Sequence, residues 1–327
     1  MLILTSGDPY SVNVELFLKS GLPVDPRWPT LVIGCAWQWC DQAMRLGLPM
    51  PAFEKVSSPA VAQSGVLSFL EVGDQSFAVP AETLSSSARG DLAVRALRAV
   101  PQDTTAGSLA VVTGPIDKHA CHGAGFSYPG QTEFFEDLWQ GQAVMTLAGP
   151  LLRVGLVTNH LALRDVPQAL TIATVTAKLE LFIKTLREAF GKSSPRIAVS
   201  GLNPHASDQG LFGDEEARVL KPAIDMVRHT CPDAVIVGPL PADTAFYRAY
   251  QGAYDGVLAM YHDQGLGPLK TVHFDDAINL SGGLRHLRVS PDHGPAKDLF
   301  LSGKASMLSV QAAVQTAKQY LTHRESV

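Results

Sequence analysis

From about residue 108 onward the apolar positions gather into short continuous runs, each closing on a glycine, proline or polar cluster. The runs are "LAVVTGPIDK" (109–118), "LLRVGLVTNH" (151–160), "RIAVSGLNPH" (196–205), "AVIVGPLPAD" (234–243) and "GVLAMYHDQG" (256–265). Continuous stretches of Val, Ile and Leu predict strands buried on both faces, as parallel sheets require. Between them the spacing changes. Residues 166–190, "VPQALTIATVTAKLELFIKTLREAF", repeat apolar positions every three or four and stop at Gly191, which predicts a helix. "GDEEARVLKPAIDMVRHTC" (213–231) opens with acids and carries Arg228 and His229 near its end, the polarity a helix dipole favours. Pro222 within it predicts a kink or a split. Earlier in the chain, "PTLVIGCAW" (29–37) reads as a strand and "LAVRALRAV" (92–100) as a helix. Strands alternating with helices predict an α/β fold.

Composition narrows the function classes. At 327 residues the chain has room for two domains, given about 100–200 residues for each. Apolar residues make up 46% and charged residues 17%, enough for a substantial core. Net charge is -5 and no Lys/Arg-rich block occurs, so neither nucleic acid nor an anionic membrane surface is expected as a partner. The start, "MLILTSGDPY", breaks at Gly7 and Pro9 and does not read as a secretory signal. No apolar run reaches the roughly 18 residues of a membrane span. Cys35, Cys40, Cys121 and Cys231 lack metal-type pairing and read as reduced thiols of a cytoplasmic enzyme.

The polar residues that end the runs are Asp117 and Lys118, His160, His205, Asp243, then His262 and Asp263. In an open parallel sheet the carboxyl ends of the strands line the ligand crevice. Three histidines arriving from three strands suit a divalent ion with three protein ligands and one open position. A single histidine after a strand more often hydrogen-bonds its own loop, so the three carry weight only together. Asp243 and Asp263 suit either carboxylates that orient the imidazoles or helix N-caps. Next, "GPLKTVHFDDAINLSGGLRHLRVSPDHGPAKD" (267–298) sets Lys270, Asn279, Arg288 and His293 among glycines. Cationic and amide donors in Gly-rich loops suit a phosphate or carboxylate, and a solvated basic loop is the plainer alternative. Neither GxxxxGK[ST] nor a post-strand GxGxxG is present.

"TGPIDK", "GQTEFFED", "TNHLALRDV", "GLNPHASDQGLFGDEE", "GPLPADTAF", "AMYHDQGLGPLK" and "SPDHGPA" occur in an order that resembles the 4-hydroxythreonine-4-phosphate dehydrogenases. The resemblance is dense over residues 109–310. It implies two α/β/α domains with a cleft between them, of the isocitrate/isopropylmalate dehydrogenase kind. The first domain would comprise residues 1–130 with 285–327 on the cofactor side, and the second residues 131–284 with metal ligands and dimer interface. The implied activity is NAD-dependent, metal-assisted oxidation and decarboxylation of 4-phosphooxy-L-threonine, giving 3-amino-2-oxopropyl phosphate, CO2 and NADH in pyridoxine 5'-phosphate biosynthesis. His160, His205 and His262 match the metal ligands (Zn, Mg or Co), drawn from both subunits of a homodimer. Gln131, Thr132, Lys270, Asn279 and Arg288 fall at substrate-binding positions, and Asp243 and Asp263 at supporting acids. His293 and Gly294 lie in the loop that would meet the dinucleotide. The general base is Lys118 or Asp263, and the sequence leaves both open.

Three departures stand out. The family usually has His at Gln131, and a neutral amide lacks the charge a phosphate favours. Its "GDP-x-GIGPE" stretch is "GDPYSVNVE" (7–15) here, which predicts a reshaped loop at Ser11 and Asn13. Its Ala-Gly after "DHGPA" is Phe300-Leu301. They open two alternatives: the same chemistry on erythronate or threonate 4-phosphate or on a dihydrodiol carboxylate, or an inactive metal-binding dimer.

Overall fold

The computed structural model describes residues 1–104 and 107–325. Strands β1 (Leu2–Thr5), β2 (Thr30–Gly34), β3 (Glu54–Val56), β4 (Leu67–Glu71) and β5 (Ala110–Thr113) come first. Strands β6 (Val144–Ala148), β7 (Arg153–Leu156), β8 (Arg196–Ser200), β9 (Val235–Leu240), β10 (Gly256–Ala259) and β11 (Ile278–Gly282) follow, then β12 (Leu287–Pro291). The chain divides into two compact units, Met1–Gln140 with His286–Val327, and Gly141–Arg285. The helix Gln131–Leu138 therefore belongs to the first unit, whereas the sequence reading assigned residue 131 onward to the second domain.

In the first unit the strand order is β3-β4-β2-β1-β5-β12, and every pairing is parallel. All four residues of β1 and of β5 are buried, the signature of a strand covered on both faces. In the second unit the order is β11-β6-β7-β10-β8-β9. Here β7, β10, β8 and β9 are parallel, while β6 pairs antiparallel with both β7 and β11. The stretch 267–298, expected as Gly-rich loops, is instead mostly regular: Lys270 lies in the helix His262–Val272, Asn279 on β11 and Arg288 on β12. Glycine there serves packing. Gly282 on β11 meets the side chain of Thr185, which a Cβ would approach to 2.1 Å.

The predicted helix over 166–190 forms, with a break. A short turn Val166–Ala169 is followed by Ile172–Phe190, because Thr171 and Thr174 form a capping box that starts the helix anew. Gly191 ends it at φ 65°, where glycine avoids the Cβ penalty of the left-handed region. Its Phe182 is fully buried against the faces of β7 and β10. A Cβ on Gly155 or Gly256 would come within 2.7 Å or 2.6 Å of that ring, so both strands need glycine at that point. The helix expected over 213–231 is not split by Pro222. A wider π turn, Glu216–Leu220, leads directly into the α-helix Lys221–Thr230 and absorbs the missing donor.

Candidate functional site

In the second unit, β7 and β10 are parallel neighbours, so the residues just beyond their carboxyl ends emerge side by side. Those residues are His160 and His262, whose rings lie 5.6 Å apart. They line a cavity of about 350 Å³ with Asn159, Leu161, Leu163, Val166, Tyr261 and Asp263. His262 Nδ1 lies 2.7 Å from Asp263 Oδ1. A carboxylate on one ring nitrogen fixes the imidazole and leaves Nε2 for a ligand, the arrangement common behind metal-bound histidine. The donor chemistry fits a divalent ion at this pair.

His205 is not part of that cluster. It sits beyond β8, 6.2 Å from Phe212 by ring centres, in a segment where His205, Ala206, Ser207, Asp208 and Gln209 all have φ between 44° and 71°. Left-handed backbone costs roughly 1–2 kcal/mol for each non-glycine residue, so this segment is held by something. The base of the loop supplies part of the hold. Glu216, 3% exposed, accepts hydrogen bonds from the backbone N–H groups of Leu202 and Asn203, each 2.8 Å, and from Asn203 Nδ2 at 3.0 Å. Beyond it, Leu211 and Phe212 are 72% and 46% exposed. Among the described residues of one chain, no three His, Cys, Asp or Glu side chains gather as a metal site.

The other second-unit candidates are dispersed. Asp243 is exposed at the start of the helix Ala242–Tyr250, accepts from the Thr244 N–H at 2.7 Å and does not line the cavity. Lys270 Nζ lies over the Phe274 ring, 5.2 Å from its centre. Asn279 Oδ1 is buried and has no hydrogen-bond partner.

The first unit holds a different arrangement. Arg288 on β12 is 5% exposed, with Nε donating to Thr113 Oγ1 (3.0 Å) and Nη2 to Gln131 Oε1 (3.2 Å). Both acceptors are neutral. Burial pulls the guanidinium down to about 10, against the pull of Glu133 and Asp292. A buried cation whose hydrogen bonds go to neutral acceptors is costly, and a guanidinium in that setting has the chemistry that suits a phosphate or carboxylate. Gln131 also donates from Nε2 to the Gly114 carbonyl, 3.2 Å away. Its polar atoms therefore face Gly114 and Arg288. Thr132 follows it in the first turn of the helix Gln131–Leu138. Lys118 is exposed and opens the short helix Lys118–Gly123; its Nζ lies 4.0 Å from where a Cβ on Gly130 would stand, beside Gln131.

The three departures are structurally connected to their surroundings. Asn13 is buried and donates from Nδ2 to the carbonyls of Ser6 (2.9 Å) and Pro115 (3.0 Å), tying together the loops beyond β1 and β5. Gly7 (φ 67°) is needed beside it, since a Cβ there would lie 2.4 Å from that amide nitrogen. Phe300 packs edge-on against Tyr10, ring centres 4.7 Å apart, and Leu301 adopts φ 55°. Lys297 ion-pairs with Asp117 and lies 3.8 Å from the buried Asp8, whose carboxyl burial pushes up. This fastens the loop that carries His293 and Gly294. His293 Nδ1 lies 2.9 Å from the Gly294 carbonyl, while its Nε2 is buried without a partner. That orphaned nitrogen fits a loop completed by a ligand.

Thr113 and Lys297 were not picked out from sequence. Thr113 carried a legible signal, a hydroxyl closing the buried run "LAVVT".

A family described as "Pyridoxal phosphate biosynthetic protein PdxA" matches residues 28–317. A 4-hydroxythreonine-4-phosphate dehydrogenase of Geobacter metallireducens is 44% identical, covering 97% of this chain and 94% of that one. A D-threonate 4-phosphate dehydrogenase of Salmonella typhimurium is 37% identical, covering 97% of each. The crystal structure of the 4-hydroxythreonine-4-phosphate dehydrogenase from Klebsiella pneumoniae superposes with a TM-score of 0.80 at 33% identity, over 98% of this chain and 99% of that one.

Proposed function

The chain belongs to the pyridoxal phosphate biosynthetic protein PdxA family, and we propose that it is an NAD-dependent dehydrogenase of a phosphorylated hydroxy acid, foremost 4-phosphooxy-L-threonine. The observation that carries this reading is the pairing of His160 with His262, backed by Asp263, at adjoining strand ends. A divalent ion held by His160 and His262 would supply Lewis-acid chemistry for the hydroxyl and the ketone it becomes, and NAD, once bound, would supply the hydride acceptor. Arg288 binds the anionic end of the substrate, and Thr113 and Gln131 hold its guanidinium in place. Lys118 or Asp263 takes the hydroxyl proton. The loop of His293 and Gly294 meets the dinucleotide.

His205 completes the ion site of a second copy, so the working unit is a homodimer. The left-handed segment that carries it and the exposed Leu161, Leu163, Leu211 and Phe212 support this reading. None of the described helices is long and apolar enough to cross a membrane, and the four thiols are free, which supports a cytoplasmic setting.

A second substrate, threonate 4-phosphate, is favoured by two observations. Gln131 is a neutral group beside the anion-binding arginine, and a relative at 37% identity carries that activity in its name. The test is NADH formation by purified protein with Zn2+, Mg2+ or Co2+ and a panel of phosphorylated hydroxy acids. Turnover of phosphooxy-threonine above the others supports the first reading, and turnover of threonate 4-phosphate above it supports the second. No NADH with any of them sinks both.

A further inference from the structure

Gln264 stands in the first turn of the helix His262–Val272, two residues past His262. Its carboxamide bonds to three places in the chain. Oε1 accepts from the Met260 N–H at 2.7 Å and lies 2.9 Å from Ser200 Oγ, while Nε2 donates to the Gly201 carbonyl at 2.7 Å. The backbone of Met260 is gripped at its carbonyl as well. Its carbonyl accepts from the Thr158 N–H at 3.2 Å and from Thr158 Oγ1 at 2.8 Å. Thr158 is two residues before His160, Met260 two before His262, and Gly201 four before His205. The carboxyl ends of β7, β10 and β8, each leading to a different histidine, are thus joined through the backbone of one residue and one side chain.

A plainer reading makes Gln264 a helix cap. A glutamine three positions into a helix often reaches back to a free backbone donor, as the bond to Met260 does. A cap needs only that one bond. The bonds to Ser200 and Gly201 cross to another strand and do nothing for the helix terminus.

We infer that Gln264 is a positioning residue that sets the loop bearing His205 in register with the His160–His262 pair. This rests on the reading of the three histidines as ligands of a divalent ion. In a homodimer that uses His205 in the partner's site, the same amide links each chain's own histidine pair to the arm it extends to its neighbour. Outer partners that hold ligand residues typically change ion affinity about 10- to 100-fold when replaced.

The probe is Co2+, whose visible absorption reports ligand geometry and whose titration gives an affinity without turnover. Gln264→Glu keeps an acceptor for the Met260 N–H, and so keeps the cap, but replaces the donor to Gly201 by a second acceptor. Co2+ affinity in this variant is expected to fall about 10- to 100-fold with an altered absorption band. Amide exchange over residues 201–210 should quicken. Unchanged affinity, spectrum and exchange, with only a lower melting temperature, overturn the inference and leave a cap. Should Gln264→Glu not fold, Ser200→Ala removes one bond of the same hub and is read by the same criteria. A wild type that binds Co2+ no better than His262→Ala overturns the metal reading and the inference with it, and the histidine variant alone shows this.

Discussion

Arg288 and the His160–His262 pair both sit at or near strand ends, yet the chain finishes only one of them. Arg288 is 5% exposed, and both of its hydrogen bonds go to buried or near-buried neutral groups of its own unit. The histidine pair opens onto a cavity, with Asp263 91% exposed and the third candidate ligand held elsewhere by its own loop. An anion needs charge and a fixed fork of donors, which one chain can bury and pre-set. An ion with three protein ligands needs groups that converge from three directions, and the second unit alone brings two. The difference teaches that a fork of donors suited to an anion can be pre-set within one unit, whereas a three-ligand ion site needs more than the two histidines that the second unit brings together.

Mixing subunits breaks or sharpens this contrast most strongly. His205→Ala and His262→Ala are each expected to be inactive and to retain little ion. Unfolded together and refolded, they should recover about a quarter of wild-type activity, because half of randomly paired dimers carry one intact site of two. Recovery at the background level would place all three ligands in one chain or remove His205 from the site.

The floor beneath the histidine pair comes next. Phe182 fills the space over Gly155 on β7 and Gly256 on β10, the strands that lead to His160 and His262. Phe182→Ala should cost about 3–5 kcal/mol in urea unfolding, as large core truncations do. A cost near that of a surface change would mean that the exposed site does not stand on a rigid base.

Arg288 tests the other half of the contrast. Bonds from a charged group contribute about 1.5–3 kcal/mol, so Arg288→Met should raise KM for a phosphorylated substrate about 10- to 100-fold. Arg288→Lys adds a pH signature. Burial disfavours the charged form of a base and lowers its pKa; the arginine, pulled to about 10, still keeps its charge at neutral pH. A lysine starts about two to three units lower and would be pulled down further, so its anion affinity should fade as pH rises through ranges where wild type is level. Parallel pH profiles for the two would show that position 288 does not meet the anion.

The legible parts of this chain were those in which one segment decides its own structure. Runs such as "GVLAM" and "RIAVS" became β10 and β8, because continuous burial leaves one reading. The histidines at their ends were visible for the same reason. The stretch around Asn279 and Arg288 was misread as loop, since glycines that make room for Thr185 look like glycines that make turns. The hydroxyl of Thr113 at the end of its run is legible, but the partners of Thr113 and Gln264 were hidden more deeply. Each acts through a partner far along the chain, Arg288 at 175 positions and Gly201 at 63, and local periodicity carries no trace of such pairs.

The smallest effect expected is at Gln131. On sequence grounds the residue faced the ligand, and restoring histidine would have supplied a positive charge. In the structure its Oε1 accepts from Arg288 and its Nε2 donates to Gly114. A histidine in that place has to accept from the guanidinium with one nitrogen and donate with the other, which only the neutral ring does. The adjacent cation also opposes ring protonation. Gln131→His should therefore preserve the network and shift KM by less than about fivefold, equivalent to roughly 1 kcal/mol. Gln131→Leu is the informative contrast, because it leaves a guanidinium N–H and the Gly114 carbonyl without their bonds, a loss of about 1–3 kcal/mol for a buried group. Its KM should rise further than that of Gln131→His, with kcat falling less. Equal KM values for the two variants would mean that Gln131 does not steady Arg288, and a cationic histidine seen by NMR at neutral pH would mean that it faces the ligand directly.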